Sequence, residues 1–106
     1  MATKLKHGNA LWANVTASSL DLVDDVWESW EGVWAIVPAL GEAAVLSGAL
    51  EKTAELGKFV LRVTSTQMAT LSVRKYILVC EAVNSAIDYK FEFAQEPLTI
   101  ELQGIA

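Results

Sequence analysis

Period-two alternation through the second half of the chain constrains its fold more than any other feature. In residues 58–63, KFVLRV, the side chains of Phe59, Leu61 and Val63 fall on one face and those of Lys58, Val60 and Arg62 on the other. In residues 89–93, YKFEF, Tyr89, Phe91 and Phe93 share a face, with Lys90 and Glu92 opposite. Successive side chains of a strand point to opposite sides, so such alternation marks one buried and one wetter face. Residues 74–83 and 98–102 read as two further strands, with a hairpin turn over 84–88. Pro97 interrupts the run before 98–102, which is then either a continuation past a bulge or an edge strand.

The first half is mixed. Gly8-Asn9 signals a turn, and residues 10–16 follow as a strand in which Leu11, Ala13 and Val15 alternate with Trp12, Asn14 and Thr16. Residues 18–25 are polar with Leu20, Leu22 and Val23 interspersed, a loop or a short edge strand. Trp27, Trp30, Val33 and Trp34 match helical spacing, but Gly32 and the β-branched and aromatic content favour a strand over 33–37. Residues 43–51 read as a strand weakened by Gly48, with an alanine-rich helix over 41–56 as the competing reading. Thr64-Ser65-Thr66-Gln67 fits a capping box, which places one short helical turn over residues 65–71 with Met68 and Leu71 packed inward. About seven short strands spaced roughly 8–12 residues apart predict an all-β sandwich. The 106 residues are enough for one core and too few for two, so residues 1–106 form a single domain with residues 1–8 as a mobile N-terminal arm.

Composition narrows function mainly by exclusion. A formal net charge of −5 with eight scattered basic residues argues against nucleic-acid binding, which rests on clustered Lys and Arg. The longest apolar run, 33–40, is broken by Pro38 and falls well short of the roughly 18–20 residues a membrane-crossing helix needs. MATKLKHGNA lacks the apolar stretch of a secretory signal, and a single cysteine fits a chain made in a reducing cytoplasm. No cofactor or membrane partner is expected.

Catalytic chemistry is equally sparse. His7 is the one histidine, and an exposed loop position is its expected role. Cys80, in phase with Tyr76 and Leu78, reads as a small buried hydrophobe rather than a nucleophile. Asp21, Asp24, Asp25 and Glu28 form an acidic cluster, but Val26 and Gly32 occupy the sixth and twelfth positions counted from Asp21, which fits no EF-hand loop. That cluster reads as a solvated loop, with a basic patch on a partner subunit as a second use. The chain is therefore not expected to be an enzyme. Its four tryptophans carry more information. Tryptophan fills small cores and is also enriched at interface centres. Trp34 is expected in the core. For Trp12, Trp27 and Trp30, core and subunit interface weigh equally, which makes them the candidate interface residues. Stacking on carbohydrate is a third use.

Read in order, these segments resemble a family of bacteriophage tail and baseplate domains, the immunoglobulin-like N-terminal domains of baseplate upper proteins. In that family a lysine-flanked strand and a turn lead into an alternating strand. Here Lys4-Leu5-Lys6-His7-Gly8-Asn9-Ala10 precedes residues 11–16, with Asn9-Ala10 where the family has Asp-Thr. A second step into a long strand is matched by Trp30-Glu31-Gly32 before residues 33–37. The C-terminal half matches best, with Gly57 and a hydrophobic strand, Thr64 and a helical turn, then Ser72-Val73-Arg74-Lys75-Tyr76 leading into a paired hairpin over 77–93. The resemblance implies an immunoglobulin-like sandwich and a non-enzymatic virion protein, assembled in the host cytoplasm into the tail, baseplate or tail-fibre attachment. Its implied partners are other virion proteins and further copies of itself. Capsid decoration or head-fibre attachment is the nearest alternative, and a carbohydrate-binding module the alternative of another class.

Overall fold

The computed structural model describes residues 3–17, 29–55, 57–85 and 88–102. They form strands β1 (Thr3–Lys6), β2 (Leu11–Thr16), β3 (Glu31–Val37), β4 (Leu46–Lys52), β5 (Lys58–Val63), β6 (Lys75–Asn84) and β7 (Tyr89–Glu101), with one short helix, α1 (Ser65–Met68), between β5 and β6. The fold is all-β, as the alternation requires. The strands join in a single seven-stranded sheet in the order β1-β7-β6-β3-β4-β5-β2. β1 runs parallel to β7, and the other ladders are antiparallel.

This sheet folds over on itself into a near-barrel, and β4 makes the bend. Its first part pairs with β3, from Leu46 opposite Ile36 to Leu50 opposite Gly32. Its last two residues, Glu51 and Lys52, pair instead with Val60 and Phe59 of β5. One layer is therefore β1-β7-β6-β3 and the facing layer β5-β2, with β4 shared between them. The alternate residues that point between the layers, Trp34, Ile36, Leu50, Phe59, Leu61, Val63, Tyr76, Leu78, Cys80, Leu98 and Ile100 among them, make one continuous core. The β5 pattern is the one expected from KFVLRV: Phe59, Leu61 and Val63 are buried, and Lys58 and Arg62 are exposed.

Two glycines admit the largest core side chains. A Cβ on Gly32 would lie 2.7 Å from the Phe59 ring and 2.8 Å from Leu50 Cδ1. A Cβ on Gly48 would lie 2.9 Å from Cζ2 of Trp34, whose residue sits opposite it across the β3–β4 ladder. Gly48, which weakens its strand on propensity alone, is thus the floor beneath an indole. Phe59 also stacks on Phe93 of β7 at 5.6 Å between centroids. That contact joins the two layers.

Phe93 reaches this position through a β-bulge. Cys80 pairs with Ala94 but Glu81 pairs with Glu92, so Phe93 is the extra residue. An inserted residue reverses which positions point inward. The bulge therefore lets one strand carry Phe93 and, beyond it, Leu98 and Ile100 toward the same core. Of the two readings of residues 98–102, continuation past a bulge is the one found: they join residues 89–94 in one 13-residue strand. Pro97 does not break it, because Ile77 is its partner on β6 and β1 begins its pairing only at Leu98.

Other expectations are refined. Residues 3–6, read as part of a mobile arm, form β1 and pair with β7 from Leu98 to Glu101. The alternation of Lys4 and Lys6 around Leu5 is too short to register as a strand, and β7 supplies its ladder. The alanine-rich stretch takes the strand reading, beginning at Leu46. Its helical alternative loses because Leu50 is required in the core and both strand edges are paired. The capping box forms as read: Thr64 Oγ1 accepts from the Gln67 N–H at 3.1 Å, and Gln67 Oε1 accepts from the Thr64 N–H at 3.0 Å. The helix itself ends at Met68, and the turn that follows brings Leu71 into the core.

Gly32→Ala should therefore lower stability by about 1–3 kcal/mol, since an added methyl overpacks a filled site. Urea denaturation would measure it. Combining Gly32→Ala with Phe59→Leu should give a smaller loss than the sum of the single changes, because the clash and its cause are then removed together.

Candidate functional site

The near-barrel presents two outward faces of different chemistry. On the β2–β5 face, Trp12 pairs across the ladder with Arg62. Trp12 is 67% exposed although it lies in the middle of a regular ladder. The Arg62 guanidinium lies 4.4 Å from the indole centroid, a cation–π contact, and its Nη2 reaches Glu51 Oε2 at 3.4 Å. Three strands thus contribute one exposed aromatic–cation–carboxylate group: β2 the ring, β5 the cation and β4 the anion. Farther along the same face are Asn14 and Thr16, and Thr16 pairs with Lys58. Together with Thr53, Glu55 and the rim of Phe59 they line a cleft of about 340 Å³. Its far wall is held by Thr53, whose Oγ1 accepts from the Glu55 N–H at 3.1 Å and donates to the Lys58 carbonyl at 3.0 Å, and Lys58 forms an ion pair with Glu55.

The outer face of β3 and β6 is apolar in its middle and carries Glu81 opposite Val33. On β3 Gly32, Trp34 and Ile36 are buried, which turns Val33 and Ala35 outward, Val33 39% exposed and Ala35 half-buried, while Val37 at the strand's end is itself buried. On β6 the same alternation turns Ile77 and Val79 outward. Registers bring these together: Ala35 is opposite Val79, and Val37 opposite Ile77. Ala49 of β4 extends the patch beside Val33, and Pro97 of β7 extends it beside Ile77. At the end of β3 the connection to β4 adds Leu40 and Val45, both exposed.

The tryptophans named as candidate interface residues separate. Trp12 is on the surface. Trp30 is 1% exposed and Trp34 3% exposed, so both lie inside the molecule and neither is presented to a partner. Trp30 precedes β3 directly, where the buried Gly32 and Trp34 follow it in phase, and its position inside follows from that alternation. Trp27 and the acidic cluster Asp21, Asp24, Asp25 and Glu28 lie outside the described residues. His7 sits in the turn after β1, where its main-chain N–H donates to the Glu101 carbonyl at 2.8 Å. Among the described residues, no group of three His, Cys, Asp or Glu side chains is placed to hold a metal ion.

Cys80 is fully buried, opposite Trp34 in the β3–β6 ladder. Burial pushes its thiol up from the ordinary 9.0 to about 11, with a further push from the Glu96 carboxylate. This is a packed side chain, not an activated thiolate. What sequence reasoning missed is the Arg62–Glu51 support beneath Trp12, which depends on the β4–β5 pairing. Residues 33–37 are legibly apolar on both faces, but the β6 side of that surface, Ile77 and Val79, was missed, and its signal was the unbroken apolar run from Tyr76 to Cys80.

No protein-family model matches the chain, and no curated protein matches it.

Two outcomes follow. A double-mutant cycle on Trp12→Ala and Arg62→Ala should give a coupling of about 0.5–1 kcal/mol, the size of an exposed cation–π contact, and chemical denaturation measures it. The folded thiol ionises at higher pH than an unfolded one, so its contribution to stability is intact below pH 9.0 and is lost as pH rises through about 11. Stability measured across that window should fall more steeply for the natural chain than for Cys80→Ala.

Proposed function

We propose that the chain is a non-enzymatic structural module of a bacteriophage virion, in the tail, baseplate or fibre attachment, acting by assembly with copies of itself and other virion proteins. The observation that carries assembly is that the middle of β3 and β6 is apolar on both faces. One face fills the core; the other sets exposed Val33 and half-buried Ala35, Ile77 and Val79 together on the outside, with Glu81 opposite Val33. Strands of that kind belong between two layers, and a contiguous outward apolar patch rimmed by polar residues marks an interaction surface. The Glu31 and Lys75 side chains at the ends of these strands are exposed and supply such a rim.

The virion setting rests on the family resemblance, and the connectivity supports the immunoglobulin-like part of it. In an immunoglobulin-like sandwich the second, fifth and fourth strands of the fold lie together, facing the third, sixth and seventh. Here β2, β5 and the last two residues of β4 face β3-β6-β7, while Leu46–Leu50 of β4 stay paired with β3. Tyr76, at the start of β6 where the chain crosses between layers, donates its hydroxyl hydrogen to the Ser72 carbonyl at 3.1 Å, a bond like that of a tyrosine corner but four residues before Cys80, where that motif has two. A buried Trp34 on the third strand sits opposite Cys80 on the sixth, the places of the characteristic tryptophan and one of the two cysteines in antibody domains. At the inward positions of β2 this chain has Leu11, Ala13 and Val15, so apolar packing stands where the disulfide would be.

Light scattering on the purified chain at micromolar concentration should show an oligomer. Val79→Glu should convert it to a monomer with an unchanged far-ultraviolet circular dichroism spectrum, because the substitution places a charge in the contact and leaves the core untouched. A natural chain that stays monomeric would overturn the assembly reading. Absence of the protein from purified particles of the encoding phage, by mass spectrometry, would overturn the virion setting.

A further inference from the structure

We propose that the outer face of β2 and β5 is a binding site for a neutral oligosaccharide, with Trp12 as its stacking platform. The site lies on the layer opposite the apolar patch and does not rest on the assembly reading. The indole is held in advance: Arg62 covers one ring face at 4.4 Å, and Glu51 anchors Arg62. At 67% exposed, the ring keeps its other face in solvent. A ring already fixed gives up little freedom on binding. Its electron-rich face suits the C–H face of a pyranose, which is the apolar side of an otherwise polar ring.

The surroundings supply the hydroxyl partners. Asn14 and Thr16 follow Trp12 on the same side of β2, in steps of about 7 Å set by the strand rise. They lead into the cleft of about 340 Å³ that Thr53, Glu55 and Lys58 complete. A saccharide lying along β2 would thus stack at one end and exchange hydrogen bonds with amide, hydroxyl and carboxylate groups at the other. Charge selects a neutral ligand. Arg62 is paired with Glu51 and Lys58 with Glu55, so each cation on this face is already matched by a carboxylate. The same polarity argues against a subunit contact here. Interface cores are depleted in lysine and glutamate, and this face carries Glu51, Glu55 and Lys58 around Asn14 and Thr16, with half-buried Val60 opposite Asn14.

The test is a two-dimensional ¹H–¹⁵N NMR titration of the full chain with three probes: maltohexaose, cellohexaose and chitohexaose. Each is taken to about 10 mM, which covers millimolar affinities. The Trp12 indole N–H is assigned from its loss in Trp12→Phe. The expected result is a saturable shift of that resonance with at least one probe. Binding should weaken by about tenfold or more in Trp12→Ala, the loss of one stacked contact, and measurably in Asn14→Ala, which keeps the platform. Both positions are exposed, and an unchanged set of core resonances verifies the fold in each variant. Silence with all three probes, or a shift that persists in Trp12→Ala, would overturn the proposal. Loss of oligomer in Trp12→Ala with no shift by any sugar would overturn it as well and return Trp12 to subunit contact.

Discussion

Everything else in this near-barrel depends on the seat of Phe59. Its ring lies over Gly32, within a distance that leaves no room for a Cβ, and stacks on Phe93 from the opposite layer. The first contact lets β5 lie close across β3; the second ties β5 to β7. β4 bends where it does because Leu50 pairs with Gly32 while Lys52, two residues on, pairs with Phe59. The bend, the bulge and the glycine are three conditions on one side chain. Trp34 over Gly48 repeats the device one ladder away. In each case a residue that costs strand stability locally is recovered through the ring it admits, and close packing of this kind tolerates little change in volume.

Much of this was legible from residues 58–63, where alternation alone names the buried set Phe59, Leu61 and Val63. The capping box at Thr64 was equally plain, because its two hydrogen bonds are local and depend on four consecutive residues. Long-range features were not. Period-two reasoning assigns Tyr89, Phe91 and Phe93 to one face and leaves 98–102 open between a continuation and an edge strand, since it has no means of locating the register slip between Cys80 and Glu81 that decides it. Gly48 looked like a defect because its compensation sits on another strand. β1 escaped notice because four residues with one apolar centre carry too little pattern, and its partner is nearly a hundred positions away in the chain. Of the surface, Trp12 could be placed on the opposite side from Leu11, Ala13 and Val15, but not the cation and carboxylate beneath it, which come from β5 and β4.

The two outer faces divide the labour that composition alone leaves undivided. The chain is 53% hydrophobic, and not all of its apolar side chains are in the core. Half-buried Ala35, Ile77 and Val79 sit together with Val33 on β3 and β6, while β2 and β5 turn outward a mostly polar surface with one aromatic ring and Val60. Trp12, Trp30 and Trp34 illustrate the difference. Two are spent inside, where volume is needed; the third stands on a face whose other side chains mostly suit water.

The pairing of β1 with β7 has a mechanical consequence. The chain enters the sheet at Thr3 and leaves it at Glu101, and the two strands lie side by side in parallel, from Thr3 opposite Leu98 to Lys6 opposite Glu101. Tension drawn through these two ends slides the strands past one another along their length. The register pairs then share the load and must yield together, instead of opening one after another as the rungs of a peeled hairpin do. The domain resists stretching along its own ends out of proportion to the small area of β1.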